Sequence, residues 1–297
     1  MTAGERGFLL LTSHLGDPAR KVLSVAQLRK LAARVKAAEG TAQQRELTQQ
    51  DIVALGYDRQ TAERILYLLS QEEQLDWYLR KGALADCYPL TRVSAGYPLR
   101  LRKRLGEDSP GCLWAKGDVS VLDKPAVALV GSRDLDTFNT EFAREAGKQA
   151  ALQGITLVSG NARGADREAQ EACLAYGGSV ISVVADRLET HPLRKNVLYL
   201  SEESYDSTFS AQRALSRNRV VHCLGYVVLV AQCTYGSGGT WDGTIKNLRN
   251  RWSPVFCFHD GSRGIGELLS LGAQPVGLWE LQDMSQLNPE IKSLFDP

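Results

Sequence analysis

The sequence predicts an α/β protein: a doubly wound, mostly parallel sheet with a small helical domain in front of it. Three observations point there. From residue 126 onward, short β-branched apolar runs alternate with helical patterns. The runs are near-continuously apolar, as in strands buried on both faces. Turns rich in glycine, hydroxyls and arginine follow several of the runs, at the edge where such a sheet holds its ligands. Right-handed crossovers between the strands complete a Rossmann-like arrangement.

Taken in order, residues 1–80 read as a helical domain. Val22 to Ala38 carries apolar residues at 22, 25, 28, 31 and 35, one face of an amphipathic helix. A polar linker, Gly40 to Glu46, follows. Leu47 to Leu66 reads as a short helix, a turn at Gly56, a cap at Asp58 and a second helix. It is similar to a helix-hairpin-helix or SAM-like unit, which binds DNA backbone or a protein partner or serves only as a packing module.

Residues 81–125 read as a connecting segment. Around its start the chain is locally basic, with Arg80, Lys81, Arg92, Arg100, Arg102, Lys103 and Arg104 against Asp86. Tyr88-Pro89 and Tyr97-Pro98 forbid one long helix there. A solvated charged face and a contribution to polyanion binding both stay open. Gly111 to Asp118 reads as a short strand ending in a turn.

Residues 126–297 make the sheet domain. Its expected strands are Val127–Val130, Ile155–Val158, Ser179–Val184, Val227–Ala231 and Pro254–Phe258. Helical patterns cover Phe138–Gln153, Arg167–Tyr176 and Thr240–Asn250.

Composition narrows the class. The chain has 297 residues, 43% hydrophobic and 23% charged, as in ordinary globular proteins. No apolar run approaches the ~20 residues that span a bilayer. The patch Phe8–Leu11 lacks the features of a signal peptide, so a cytoplasmic protein is expected. Six cysteines show no CxxC spacing, and several sit in apolar runs, which suggests buried free thiols. The net charge of +1 neither suggests nor excludes nucleic acid; local clustering must decide.

The strand ends carry that clustering. The first ends in Gly131-Ser132-Arg133. The second ends in Ser159-Gly160-Asn161-Ala162-Arg163-Gly164-Ala165-Asp166, a small-residue turn leading into a helix. The third ends in Ala185-Asp186-Arg187, with His191, Pro192 and Asn196 beyond it. The fourth ends in Gln232 to Thr240, including Ser237-Gly238-Gly239-Thr240. Arg217-Asn218-Arg219 precedes the fourth strand and is expected near the start of a helix. Backbone N–H groups, hydroxyls and guanidinium forks converging on one edge are what a phosphate site requires.

Other chemistries lack their signatures. GxGxxG after the first strand, GxxxxGK[ST], HExxH and GxSxG are all absent. The four histidines show no metal-ligand spacing, and His191 and His222 read as satisfied loop or core residues. No cofactor, no metal and no catalytic residue is expected.

These motifs resemble the DNA-processing family DprA/Smf, within a wider Rossmann-like group that includes the LOG nucleotide enzymes. The matching residues are Val130 to Arg133, Ser159-Gly160-x-Ala162-Arg163-Gly164-x-Asp166, Asn196, Arg217 to Arg219 and Ser237 to Thr240. Upstream, Tyr97-Pro98-x-x-Leu101 and Leu113 to Gly117 fit the segment that leads into the family's sheet.

The resemblance implies a non-catalytic, homodimeric, cytoplasmic protein. Such a protein binds single-stranded DNA and loads a RecA-type recombinase in DNA recombination and natural transformation. It also implies that Gly131, Ser132, Arg133, Ser159, Gly160, Arg163 and Gly164 hold phosphates. Asn196, Arg217, Asn218, Arg219, Ser237, Gly238, Gly239 and Thr240 would line the same groove, and Asp166 would orient an arginine or cap the helix.

Departures mark a diverged member. Gln170 stands where the family usually has His, Asn161 and Ala165 where it has bulkier apolar residues, and Ala185-Asp186-Arg187 where it has a glycine-rich turn. A winged-helix tail is not expected after Pro275. These leave two alternatives: a DprA-like component of a defence or toxin–antitoxin module with a toxin-like partner, or a LOG-like protein that senses or hydrolyses a free nucleotide. In the latter, Asp242 and Lys246 stand where those enzymes carry a glutamate.

Overall fold

The computed structural model describes residues 1–38, 47–202 and 204–288. Eleven α-helices and nine strands lie along them, the first five elements all helical. Helices α1 (Ala3–Thr12), α2 (Val25–Ala37), α3 (Gln49–Ala54), α4 (Arg59–Leu69) and α5 (Glu72–Leu84) form the N-terminal part. Ser24 caps α2 through the Gln27 N–H, and Asp58 caps α4 through the Thr61 N–H. The predicted linker Gly40–Glu46 lies outside the described residues.

Next come β1 (Tyr88–Thr91), α6 (Leu99–Leu105), β2 (Cys112–Lys116), β3 (Ala126–Val130), α7 (Thr137–Leu152), β4 (Thr156–Ser159), α8 (Ala165–Ala175) and β5 (Val180–Val184). Then follow β6 (Val197–Glu202), α9 (Ala211–Leu224), β7 (Val227–Val230), α10 (Gly238–Asn250), β8 (Val255–Phe258), α11 (Arg263–Ser270) and β9 (Gln274–Val276).

All nine strands form one sheet, ordered β1-β2-β6-β5-β4-β3-β7-β8-β9. From β6 to β9 every neighbouring pair is parallel; β1 and β2 join antiparallel at one side. Strand order reverses at β3, which pairs with β4 on one side and β7 on the other. That reversal opens a crevice between the loops after β3, β4 and β7.

Alternate residues of β3 point into opposite layers. Val127 and Leu129 join Phe142, Ala146 and Ala169 of α7 and α8. Ala128 and Val130 join Val220 and Leu224 of α9 and Ile265 of α11. The first layer also takes in Leu9 and Leu75 of the N-terminal helices. There Tyr78, Trp114 and Tyr205 form an aromatic cluster with centroids 4.7–5.5 Å apart. The Tyr78 hydroxyl donates to Asp206 (2.8 Å), tying α5 to the loop after β6. Leu11, Ile52, Ile65 and Leu68 make a separate small core among α1 to α4.

Three strands were not read from the sequence: β1, β6 and β9. Arg217-Asn218-Arg219 lies in the middle of α9 rather than at its start. All six cysteines are free and buried. No described helix is long and apolar enough to cross a membrane.

Candidate nucleic-acid interface

The loop after β4 is built around a buried carboxylate. Asp166, 7% exposed, accepts the N–H groups of Gly160 (3.1 Å) and Ala162 (3.0 Å) through one oxygen. This fixes the 160–164 turn, in which Asn161 adopts a left-handed φ of 62°. Gly164 ends the turn at φ 79°, where a Cβ would come within 2.5 Å of the Ser132 and Arg133 carbonyl oxygens. Only glycine fits that crossing of two loops. Asp166 therefore shapes the loop; the N-cap position of α8 falls on Gly164, and the carboxylate hydrogen-bonds loop N–H groups.

Against this loop lies Arg217, from the inner side of α9. Its guanidinium passes so close to Gly160 that a Cβ there would stand 1.5 Å from Nη1. Arg217 is 8% exposed, and its Nε has no hydrogen-bond partner. Among the described residues its guanidinium forms no hydrogen bond or ion pair. Burial pushes the Asp166 carboxyl up and the Arg217 guanidinium down, and the opposite charge of each holds the other back in part. An arginine in such a position stays charged.

Arg217 faces a hollow of about 340 Å³ at the carboxyl edge of the sheet, also lined by Arg133, Arg163, Gly160, Asp186 and Phe209. Arg133 is exposed at its mouth. Arg163, 68% exposed at its side chain, pairs with Asp134 (2.6 Å). That pair is solvated and weak, so the guanidinium remains open to exchange for another anion. Asp186 is held below the usual carboxylate range by His191, whose Nε2 lies 2.9 Å away.

The other predicted residues divide into supports and outliers. Gly131 accepts the Thr240 hydroxyl at its carbonyl (2.8 Å), which docks the start of α10 beside the first loop. The Ser132 carbonyl accepts the Ala165 N–H (3.1 Å), joining the first loop to α8. Ser237 and Gly238 are exposed beyond these contacts. Asn218 donates to the Gly239 carbonyl (3.0 Å). These residues frame the hollow without lining it.

Three placements correct the sequence reading. Ser159 is fully buried, and its hydroxyl accepts a bond from Gln170 (2.5 Å), so it faces away from any ligand. Arg219 points to the opposite side of α9 and pairs with Glu202 (2.6 Å). Two residues apart on a helix are about 200° apart around its axis, so Arg217 and Arg219 cannot share one groove. Asn196 precedes β6 and donates to the Gly177 carbonyl (3.3 Å) at the amino edge of the sheet, the far side from the hollow.

The basic run before β2 is also tied up. Arg100 bonds the Leu224 carbonyl, and Arg104 bonds those of Cys223, Gly225 and Tyr226. Arg92 and Arg102 bond backbone carbonyls as well. Those four cap backbone ends rather than offering a polyanion surface. His222 is a core histidine: Nδ1 faces the Asn247 amide (3.1 Å), and burial pushes its pKa down to about 4.

A further hollow, about 1060 Å³, lies between the N-terminal helices and the sheet. Glu107, Asp108, Glu189, Glu202 and Asp206 line it beside Lys81, Arg187, Arg213 and Arg219; Arg213 is taken up by carbonyls, and Arg187 and Arg219 face Glu189 and Glu202. It suits a polyanion poorly despite its size. Among the described residues no His, Cys, Asp and Glu cluster could hold a metal. The sequence also missed Gln170 as the bridge between Ser159 and Ser182; the polar residue on an otherwise small-residue helix face was the available signal.

A doubly wound sheet whose switch-point loops converge on the buried Arg217 defines a Rossmann-like α/β protein. The family model described as DNA recombination-mediator protein A matches residues 89–287, and the chain belongs to that family. Protein Smf of Escherichia coli is 32% identical over 142 residues, 44% of this chain and 38% of that protein. DNA processing protein DprA of Streptococcus pneumoniae is 29% identical over 208 residues, 65% of this chain and 69% of that protein.

Among solved structures, DprA from S. pneumoniae superposes with a TM-score of 0.65 at 23% identity, covering 86% of this chain and 95% of that one. DNA processing protein A from Helicobacter pylori superposes with a TM-score of 0.56 at 26% identity, covering 70% and 95%. The latter structure describes that protein's single-stranded DNA-binding mode.

Proposed function

We propose that the chain binds single-stranded DNA by holding a backbone phosphate in the hollow formed by Arg133, Gly160, Arg163 and Arg217. The observation that carries this reading is Arg217. A buried guanidinium without a hydrogen-bond partner is costly, and an anion entering the hollow supplies the missing partner. Arg133 and Arg163 add charge at the mouth, where they attract a polyanion from solution. The family membership and the single-stranded DNA-binding relative from H. pylori support the choice of ligand. The bonds of Asp166 fix the loop before a strand arrives, which lowers the ordering cost of binding.

The test is equilibrium binding of a fluorescent oligothymidine at several salt concentrations. Log affinity of the parent falls linearly with log salt, and Arg133→Ala lowers the slope by about 0.7. A parent chain that binds nothing at low salt ends this reading.

A further inference from the structure

Asn196 belongs to a second basic hollow, at the opposite edge of the sheet. It encloses about 440 Å³ and is lined by Gly117, Lys124, Ser179, Arg194 and Lys195 besides Asn196. Among the described residues, none of its three cations forms an ion pair or a hydrogen bond. That sets them apart from Arg92, Arg100, Arg104 and Arg213, held by carbonyls, and Arg219, held by Glu202. The carboxylate at this hollow, Asp118, accepts the Ser120 N–H (2.9 Å) and caps its own turn.

The cations stand on a fixed frame. The Val197 N–H bonds the Arg194 carbonyl (3.3 Å), and the Val180 N–H bonds the Asn196 carbonyl (2.8 Å). Asn196 itself adopts φ 63° and is pinned by its bond to Gly177. On the other wall, Gly117 at φ 115° lets the backbone approach the Val197 carbonyl so closely that a Cβ would meet its oxygen at 2.4 Å. Two chain segments thus hold three cations around one opening, against the single carboxylate of Asp118. The excess positive charge favours an anion there.

We infer that Lys124, Arg194 and Lys195 form a second contact for the phosphate backbone of a nucleic-acid strand, separate from the hollow at Arg217. The ligand class rests on the reading under Proposed function. The five residues of β5 separate the two edges by about 16 Å of strand. A long strand passing round the sheet reaches both; a short one reaches a single hollow.

The experiment compares oligothymidines of about six and about forty nucleotides, bracketing the usual range of single-strand site sizes. Each is titrated across salt with the parent, with Lys124→Ala/Arg194→Ala/Lys195→Ala, and with Arg133→Ala. With the long strand, the triple variant loses about 2 in the slope of log affinity against log salt, three contacts at about 0.7 each. With the short strand its affinity equals that of the parent. A triple variant whose long-strand slope matches the parent overturns the inference, provided circular dichroism shows it folded. The charge-preserving variant Lys124→Arg/Arg194→Lys/Lys195→Arg keeps the parental slope. An Arg133→Ala chain that keeps parental short-strand binding overturns the carboxyl-edge reading instead, while the long-strand slope still judges the amino edge.

Discussion

Gly160→Ala isolates the arginine at the centre of the hollow. The added methyl would stand 1.5 Å from Nη1, 2.2 Å from Cζ and 2.4 Å from Nη2 of Arg217. No such overlap survives, so one partner moves. Gly160 has no left-handed φ, so its backbone accepts alanine. The Arg217 side chain is the flexible partner, and its guanidinium leaves the hollow. The fold then survives while the anion loses a charge-assisted partner worth about 1.5–3 kcal/mol. That is a loss in affinity for single-stranded DNA of roughly tenfold to 150-fold, with a salt slope lower by about 0.7. Fluorescence anisotropy with an oligothymidine measures both, and a thermal melt checks the fold. Because the methyl acts through Arg217, Gly160→Ala/Arg217→Ala binds no worse than Arg217→Ala alone. Parental affinity in Gly160→Ala, or losses that add in the double variant, would refute the reasoning.

Gly164→Ala meets a different obstacle: φ 79° and two backbone carbonyls at 2.5 Å, neither a flexible side chain. The loops after β3 and β4 are forced apart, and the melting temperature falls by several degrees along with binding. Arg104→Ala removes the bonds to the carbonyls of Cys223, Gly225 and Tyr226. Urea unfolding then shows a loss of about 1–3 kcal/mol, while the salt slope of DNA binding stays parental; a phosphate contact at Arg104 would lower it by about 0.7. His222, lowered from 6.5 to about 4 by burial, is neutral in the folded chain and takes up a proton more readily once unfolded. Stability is therefore full above pH 6.5 and falls as pH drops toward 4, by about 3 kcal/mol in all. Urea midpoints across that range check it, and His222→Leu flattens the curve.

The parallel sheet was legible because β3, β4, β5, β7 and β8 are short, apolar and followed by glycine or hydroxyl turns. β6 was hidden because it follows Arg194-Lys195-Asn196, and the chain there reads as the tail of the Pro192 turn. β1 contains Pro89, a poor residue for a central strand but acceptable at the sheet's outer edge. In the site, turn composition located the loops after β3 and β4, yet composition carries no direction. Ser159 ends a strand whose side chains alternate faces, and its hydroxyl falls on the side of Gln170. Arg217 and Arg219 look equivalent in a row of three letters and diverge once wound into α9. Asn196 sits one strand length from the hollow, a separation set by strand polarity that no motif spacing displays.

The arginines of α6 bear on what a minimal binding unit would be. α9 ends at Gly225 in extended conformation, without the left-handed residue that usually closes a helix. Its last carbonyls are closed by Arg100 and Arg104, more than a hundred residues earlier in the chain. A fragment beginning at residue 126 would retain the turns after β3, β4 and β7 and lack the closure of the helix that presents Arg217. It would also strip β2 from β6, turning an interior strand with Tyr199 and Leu200 into an open edge prone to pairing with other chains. The piece that looks self-contained by its motifs would aggregate, and the shortest soluble binder begins upstream of α6.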